Sequence, residues 1–310
     1  MVITNIMISS GAVIITFNPK IDDFKVNLEA IAKNFGKNFL VVDNASDNQI
    51  LISETVQRNN GSFIGLKKNL GIAAAQNIGF SFFKEKYFDW VMLLDQDSLL
   101  SENALEKLLI LPEIKQSSTG AIGINYDQRA IEGVIKVSDL IASGSLIKIE
   151  AWSAVSGMDE NLFIDYVDLD FDAKLLLAGF ELYMDTSNIL RHEIGETIKV
   201  GNIGRILLVK KQEYSDHSPM RHYYYARNMI IVKKRYPWYF DGRRDPRLTN
   251  LILVRESLLA KKKRFQKMCG DLKGTFSVWH YDPKRDMMHQ KTIDKIEGYK
   301  REHNIRFTKE

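Results

Sequence analysis

Ala12 to Ser46, AVIITFNPKIDDFKVNLEAIAKNFGKNFLVVDNAS, decides the architecture. It begins with an apolar run, A-V-I-I-T-F, closed by Asn18-Pro19, which reads as a buried strand followed by a turn. Asp22 to Phe35 then spaces Phe24, Leu28, Ile31 and Phe35 at the period of a helix. Phe39 to Val42 is a second apolar run, ending at Asp43-Asn44-Ala45-Ser46. Strand, helix, strand in that order is a βαβ unit, so the fold class is α/β, a mostly parallel sheet flanked by helices. Ligands of such sheets bind beyond the carboxyl ends of the strands, where Thr16, Asn18, Asp43 and Asn44 fall.

Working outward, Ser62 to Leu66 predicts a third strand, and Gly71 to Phe83 a helix rich in small residues (Ala73, Ala74, Ala75, Gly79). Asn69, Gly71 and Asn77 bracket its start, where unpaired backbone N–H groups favour an anion. A helix packed tightly on a sheet under an Asn cap has the same pattern. Trp90 to Ser98, W-V-M-L-L-D-Q-D-S, is a buried run stopping at two acids. In an extended chain Asp95 and Asp97 project to one side and Gln96 to the other. Paired carboxylates suit Mg²⁺ or Mn²⁺ shared with substrate phosphates, although acids also precede helices as caps, and Ser98 to Leu109 looks helical. Ser101 to Leu111 predicts that helix, ended by Pro112. Ala121 to Asn125, Val134 to Val137 and Leu146 to Ile149 predict strands, the last preceded by the small-residue turn Ser143-Gly144-Ser145.

A second acidic cluster lies in F-I-D-Y-V-D-L-D, Phe163 to Asp170, ahead of a helix from Phe171 to Gly179. A carboxylate there can accept a proton from a bound hydroxyl, or simply cap the helix. After a short strand, Glu181 to Met184, His192 in R-H-E-I-G offers a metal or phosphate ligand, or an ordinary solvated imidazole. Arg221 opens a helix to about Tyr236 that sets Arg221, Tyr224 and Asn228 on one face with Arg227 beside it, suited to diphosphate and sugar contact or to aromatic packing.

Composition bounds these readings. The 310 residues hold one cysteine, Cys269, which excludes a disulfide framework or multi-cysteine zinc site and fits a cytoplasmic protein. No stretch reaches transmembrane length, and the apolar Met1 to Ile15 lacks the basic leading region of a signal peptide. Charge is uneven: from Arg221 on there are 23 Lys+Arg against 10 Asp+Glu, net +13, and residues 1 to 220 hold 20 against 29, net −9. We therefore expect two regions, 1–219 catalytic and 220–310 basic and mostly helical. Leu251 to Leu259, Lys261-Lys262-Lys263-Arg264 and Trp238-Tyr239-Phe240 suit peripheral contact with an anionic membrane face, or packing on the chain itself or on a second copy in a homo-oligomer. Beyond Gly274 the polar composition predicts less order.

Together the blocks T-F-N, V-V-D-N-A-S, N-L-G-I-A-A-A-Q-N-I-G, L-L-D-Q-D-S, S-G-S-L-I, G-M-D-E, F-I-D-Y-V-D-L-D-F, H-E-I-G and R-H-Y-Y-Y-A-R-N resemble the inverting family 2 glycosyltransferases of GT-A fold, and among them bacterial rhamnosyltransferases of cell-surface polysaccharide. The resemblance spans roughly residues 10 to 235. It implies a Rossmann-like GT-A sheet with a C-terminal helical extension, and gives each cluster a role. Thr16, Asn18 and Asp43 would cradle the nucleotide, Asp43 accepting from the pyrimidine N3–H, with Asn69, Asn77 and Asp95 along the nucleotide and diphosphate. Asp95, Asp97 and His192 would hold the divalent metal (Mg²⁺ or Mn²⁺). Asp168 would be the catalytic base; Val167 replaces the Glu of the family's usual Glu-Asp pair, as expected in the rhamnosyl branch. Arg227, Asn228 and Tyr224 would face the diphosphate or acceptor. The implied partners are a nucleotide-sugar donor, dTDP-rhamnose or a UDP-sugar (hexose, GlcNAc or galactofuranose), and a lipid-linked saccharide acceptor at the inner face of the plasma membrane, with no nucleic acid. A nucleotidyltransferase is the rival enzyme, but Phe17-Asn18-Pro19-Lys20-Ile21 is not its Gly-rich basic triphosphate loop. A non-catalytic binding protein is the rival outside enzymes.

Overall fold

The computed structural model describes residues 8–125, 133–192, 197–199, 213–215, 217–240, 246–260 and 262–305. The chain divides into two compact units: Met1–Asn161, Asp168–His192 and Thr292–Glu310 form the first, Leu162–Val167 and Glu193–Lys291 the second.

The first unit is built on an eight-stranded sheet. Its parallel half comprises β1 (Ser10–Thr16), β2 (Phe39–Asp43), β3 (Ser62–Gly65) and β4 (Trp90–Asp95), in the order β3-β2-β1-β4. The sheet continues through β8 (Ser145–Lys148), β6 (Thr119–Asn125), β9 (Glu181–Ile189) and β7 (Val134–Val137). β8 runs antiparallel to β4 and β6, β9 parallel to β6, and β7 antiparallel to β9. The opening βαβ reading is borne out: α1 (Ile21–Phe35) buries Phe24, Leu28, Ile31 and Phe35, the apolar stripe of the sequence. These side chains meet Ala12, Ile14, Phe39 and Val41 in one core, each full burial stabilising by about 1.5–3 kcal/mol.

Register sets the working end of the sheet. Thr16 pairs with Asp43, Asp43 with Gly65, and Ile15 with Asp95, so the carboxyl ends of β1 to β4 finish level. α2 (Gln49–Arg58) follows β2, and α3 (Ile72–Glu85) follows β3. On α3 a Cβ at Gly79 would strike Val13 of β1, so the small residues do bring helix and sheet backbones close.

The remaining elements differ from expectation in instructive ways. β4 ends at Asp95, and Gln96-Asp97 is a turn into the short β5 (Ser98–Leu99). The extended-chain argument for two carboxylates on one side therefore does not carry past Asp95. α4 covers only Ala104–Leu109, and α5 (Ile149–Ala154) follows β8 directly. α6 (Val167–Leu177) begins four residues earlier than Phe171 and contains the acids it was expected to follow. β5 pairs with β10 (Arg191–His192), while β11 (Thr197–Lys199) pairs with β12 (Glu213–Ser215).

The second unit is helical, with α7 (Pro219–Arg235), α8 (Pro246–Ser257) and α9 (Arg264–Ser277). Gly270 and Gly274 of α9 let it lie on the backbone of α7, where a Cβ at Gly270 would come within 2.6 Å of Pro219 O. A buried polar cluster joins the three helices: Asp271 holds His222 Nδ1 at 2.9 Å and accepts from Ser257 Oγ at 2.6 Å. The contacts group 162–167 with these helices and 292–310 with the sheet. The expected loss of order after Gly274 is also corrected: α10 (Met287–Glu302) is a 16-residue helix, and its Tyr299 stacks on Phe180 at 5.3 Å and donates to Glu150 at 3.1 Å. Among the described residues no helix is long and apolar enough to cross a membrane.

Candidate functional site

The site occupies the first unit, at the level ends of β1, β2 and β4. Asp43 is fully buried there, and its carboxylate accepts from Thr16 Oγ1 (2.9 Å), Ser46 N (2.9 Å), Gln49 Nε2 (2.8 Å) and Ser46 Oγ. These donors close the β2 loop around the acid. Asn18, exposed and at a φ of 49°, accepts from Asp47 N at 2.8 Å, while its own N–H donates to Ser46 Oγ at 2.7 Å. β1 and β2 thus end in one hydrogen-bonded rim. Asn44 extends the rim by accepting from Leu70 N at 2.8 Å, and Asn69 accepts from Gly71 N at 2.9 Å ahead of α3.

At β4, Asp95 and Asp97 are both half-buried. Gln96, in the turn, is tied back to the sheet and α1: its Oε1 accepts from Phe17 N at 2.9 Å and its backbone O from Asn27 Nδ2 at 2.9 Å. The Ser143-Gly144-Ser145 block braces the same strand end. Ser143 Oγ accepts from Asp95 N at 3.0 Å and meets Ser98 Oγ at 2.6 Å, and Gly144 N donates to Leu93 O. His192 lies opposite Ser98 in the β5–β10 ladder, so the backbone brings it one residue from Asp97. For His192 the description is of the backbone; Glu193, Ile194 and Gly195 lie outside the described residues.

Among the described residues no group of three His, Cys, Asp or Glu side chains gathers as a metal site. The Asp95 and Asp97 carboxylates nevertheless fit a hard divalent ion in kind, since such an ion takes one or two carboxylates and completes its shell with phosphate oxygens and water.

Asp168 is the second residue of α6. It lines a cavity with Gln76, Leu93, Ala142, Ser145 and Asp172 that has room for little more than one water molecule. This places it beside β4 two residues before Asp95. Its Oδ1 accepts from Leu169 N at 2.9 Å. One turn along, Asp172 is buried, which pushes its carboxyl well above the usual range; the Leu140 N–H pulls it down, and Asp168 and Asp139 push it up. Asp170 serves the structure instead, pairing at 2.9 Å with buried Lys174, whose Nζ also donates to Gly157 O at 2.6 Å.

Two of the expected site residues are engaged within the protein. Asn77 has its side-chain amide committed within the protein, donating to Met158 O (2.9 Å) and Glu160 Oε1 (3.0 Å) and accepting from Trp152 Nε1 (3.1 Å) and Met158 N (2.9 Å). It braces the G-M-D-E loop with both N–H groups and the oxygen of its amide. In the second unit Asn228 is fully buried, with its amide bonded to three backbone carbonyls and to Arg227. Tyr224 stacks on Phe163, and the Arg227 guanidinium lies 4.9 Å from the Tyr224 ring centre. Arg221, read only as a neighbour on that face, binds Asp165; burial pushes the Asp165 carboxyl up and Arg221 pulls it part of the way back.

Sequence reasoning passed over Ser46, Gln49, Gln76, Gln96 and Ser143 as working parts of this region. Ser46 and Ser143 stood inside blocks already singled out, D-N-A-S and S-G-S, and small hydroxyl residues beside a strand-end acid are the signal that could have found them.

Residues 12–138 match the family model described as Glycosyl transferase family 2. The dTDP-rhamnosyl transferase RfbF of Shigella flexneri is 28% identical over 246 residues, covering 72% of this chain and 79% of its own. GalNAc-T7, crystallised with UDP, GalNAc and Mn²⁺, has a TM-score of 0.56 at 11% identity over 91% of this chain, which spans only 58% of that one. The S. aureus TarS 1-349 complex with UDP-GlcNAc has a TM-score of 0.51 at 15% identity, covering 97% of this chain and 94% of its own. At these identities the two crystal structures share a fold with this chain.

Proposed function

We propose that this chain is a family 2 glycosyltransferase of GT-A fold that transfers L-rhamnose from dTDP-rhamnose to a hydroxyl of a lipid-linked saccharide, inverting the anomeric carbon. The observation that carries the reading is the arrival of Asp168, from a segment well beyond the parallel half-sheet, in a cavity walled by Leu93 and Ala142 beside the end of β4. The rhamnosyl donor is supported by the likeness to RfbF and by the block Phe163-Ile164-Asp165-Tyr166-Val167-Asp168.

In this account Thr16, Asn18 and Asp43 form the base end of the donor site. Gln49, which holds Asp43 Oδ2 through a long side chain, is the donor that gives way to the pyrimidine N3–H. Asn69 borders the diphosphate. Asp95 and Asp97, with His192, would hold a Mg²⁺ or Mn²⁺ ion, which when bound supplies positive charge against the departing diphosphate. Asp168 takes the proton of the acceptor hydroxyl as that oxygen attacks the anomeric carbon opposite the leaving group. One displacement inverts the centre, and the activated leaving group removes the need for the general acid of a glycosidase. Membrane contact through the basic region is supported by exposed Phe265 beside Lys262, Lys263 and Arg264 at the start of α9, and by exposed Phe276 and Trp279 at its end.

A donor screen tests the proposal: dTDP-rhamnose and UDP-sugars, each offered with a lipid-diphosphate saccharide in anionic vesicles and read by mass spectrometry. Transfer from dTDP-rhamnose by vesicle-bound protein is expected. Turnover of UDP-sugars alone would remove the rhamnosyl assignment, and protein that stays in the supernatant would remove the membrane contact.

A further inference from the structure

Three of the four residues from Phe163 to Tyr166 hold a left-handed backbone: Phe163 at φ 66°, Asp165 at 62° and Tyr166 at 63°. None is glycine. Each such residue costs on the order of 1 kcal/mol or more, so three in a row of four persist only where the surroundings impose them.

The imposing element is one face of α7, which belongs with this loop to the second unit. Asn228 Nδ2 reaches Leu162 O at 2.8 Å, Ile164 O at 2.8 Å and Asp165 O at 2.9 Å. A single amide nitrogen can serve three carbonyls only because the left-handed turn folds them inward, and its two hydrogens must be shared among them. The amide is itself oriented by Arg227 Nε, which donates to Asn228 Oδ1 at 2.9 Å. Arg221 Nε lies 3.0 and 3.1 Å from the two oxygens of Asp165 and its Nη2 lies 3.0 Å from Oδ1, so two guanidinium nitrogens hold the carboxylate through charge-assisted bonds. Tyr224 stacks on Phe163 at 4.7 Å, and Tyr225 meets Tyr166 edge-on at 5.2 Å. Positions 221, 224, 225 and 228 recur at i, i+3, i+4 and i+7, so every strained residue is held from one helical stripe. Glycines would adopt this backbone without steric cost, but they would leave α7 only the main-chain carbonyls to hold.

The clamped run continues through Val167, the first residue of α6, into Asp168. We infer that α7 is a clamp for this strained loop, and that Asn228 and Arg221 are positioning residues which fix where the chain delivers Asp168. The inference rests on Asp168 being the base. It replaces ligand contact by loop control as the work of the R-H-Y-Y-Y-A-R-N helix.

The test is steady-state kinetics of Asn228→Ala beside Asp168→Asn, with donor affinity measured separately by calorimetry. A displacement of the base by about 1 Å is enough for a loss near 100-fold. We expect Asn228→Ala to lower kcat about 10- to 100-fold while KM and Kd for the donor stay within about twofold. Asn228→Asp, which keeps the shape but loses the N–H donors, should be equally poor. Should Asn228→Ala fail to fold, Arg221→Ala is the second variant, with a kcat loss of about 5- to 20-fold expected and Arg221→Lys recovering part of it. An unchanged kcat in the folded variants, or a loss confined to donor affinity, overturns the clamp. If Asp168→Asn abolishes transfer and the α7 variants do not lower kcat, the clamp alone fails. If Asp168→Asn keeps full rate, the base assignment fails and the clamp with it.

Discussion

Asp168→Asn is expected to lower the transfer rate about 1,000-fold while leaving nucleotide-sugar affinity within about twofold. The carboxylate and the amide have nearly the same shape, so the helix start and the cavity with Gln76 and Leu93 should survive the exchange. What is lost is the ability to take a proton, and positioned general bases contribute about 10²- to 10⁴-fold. The split between rate and affinity is the informative part. The proposed donor site lies at the ends of β1, β2 and β4, around Asp43 and its hydrogen-bonded rim, and none of those hydrogen bonds involves Asp168. Binding is read by calorimetry with a non-transferable donor analogue and rate by product formation. A variant that keeps its rate would exclude Asp168 as the base.

Asp97→Asn, or a chelator added to the unaltered protein, is expected to cost about 100- to 1,000-fold in kcat/KM. Transition-state charge stabilisation by a bound divalent ion is worth several kcal/mol, and each 1.36 kcal/mol is tenfold in rate. Unlike the Asp168 change, this one should weaken donor binding too, because the ion would bridge protein and diphosphate. Excess Mn²⁺ should restore much of the chelated enzyme but little of the variant. Full activity in the presence of chelator would show that diphosphate charge is met by side chains alone. The neighbouring Ser143 brace on Asp95 N keeps the strand end in place in either experiment.

How much of this was legible from the residues alone follows from how local each feature is. The half-sheet β3-β2-β1-β4 was readable because each strand is an apolar run with a polar or turn residue at its carboxyl end, and α1 because its stripe is periodic. Asp95, Asp97 and Asp168 could be picked out because acids closing a buried run, or crowding before a helix, stand out in one dimension. Asn77 and Asn228 could not be judged that way. Both sit in blocks that resemble ligand-binding segments, but an amide is a donor and an acceptor for anything near it. Its partners here include main-chain groups about 80 and 65 positions away in sequence. The turn at Gln96-Asp97 was missed because strand alternation was extended past the point where Gln96 is tied to Phe17 and Asn27. The change of charge near residue 220 marks surface composition, whereas the two units are drawn by packing, which sends 162–167 to the helices and α10's last turns to the sheet.

The central claim is a single displacement assisted by Asp168, and the anomeric configuration of the product tests it most directly. Proton NMR of the transferred sugar, compared with the donor consumed, is expected to show inversion at the anomeric carbon. Retention of the donor's configuration would contradict the account.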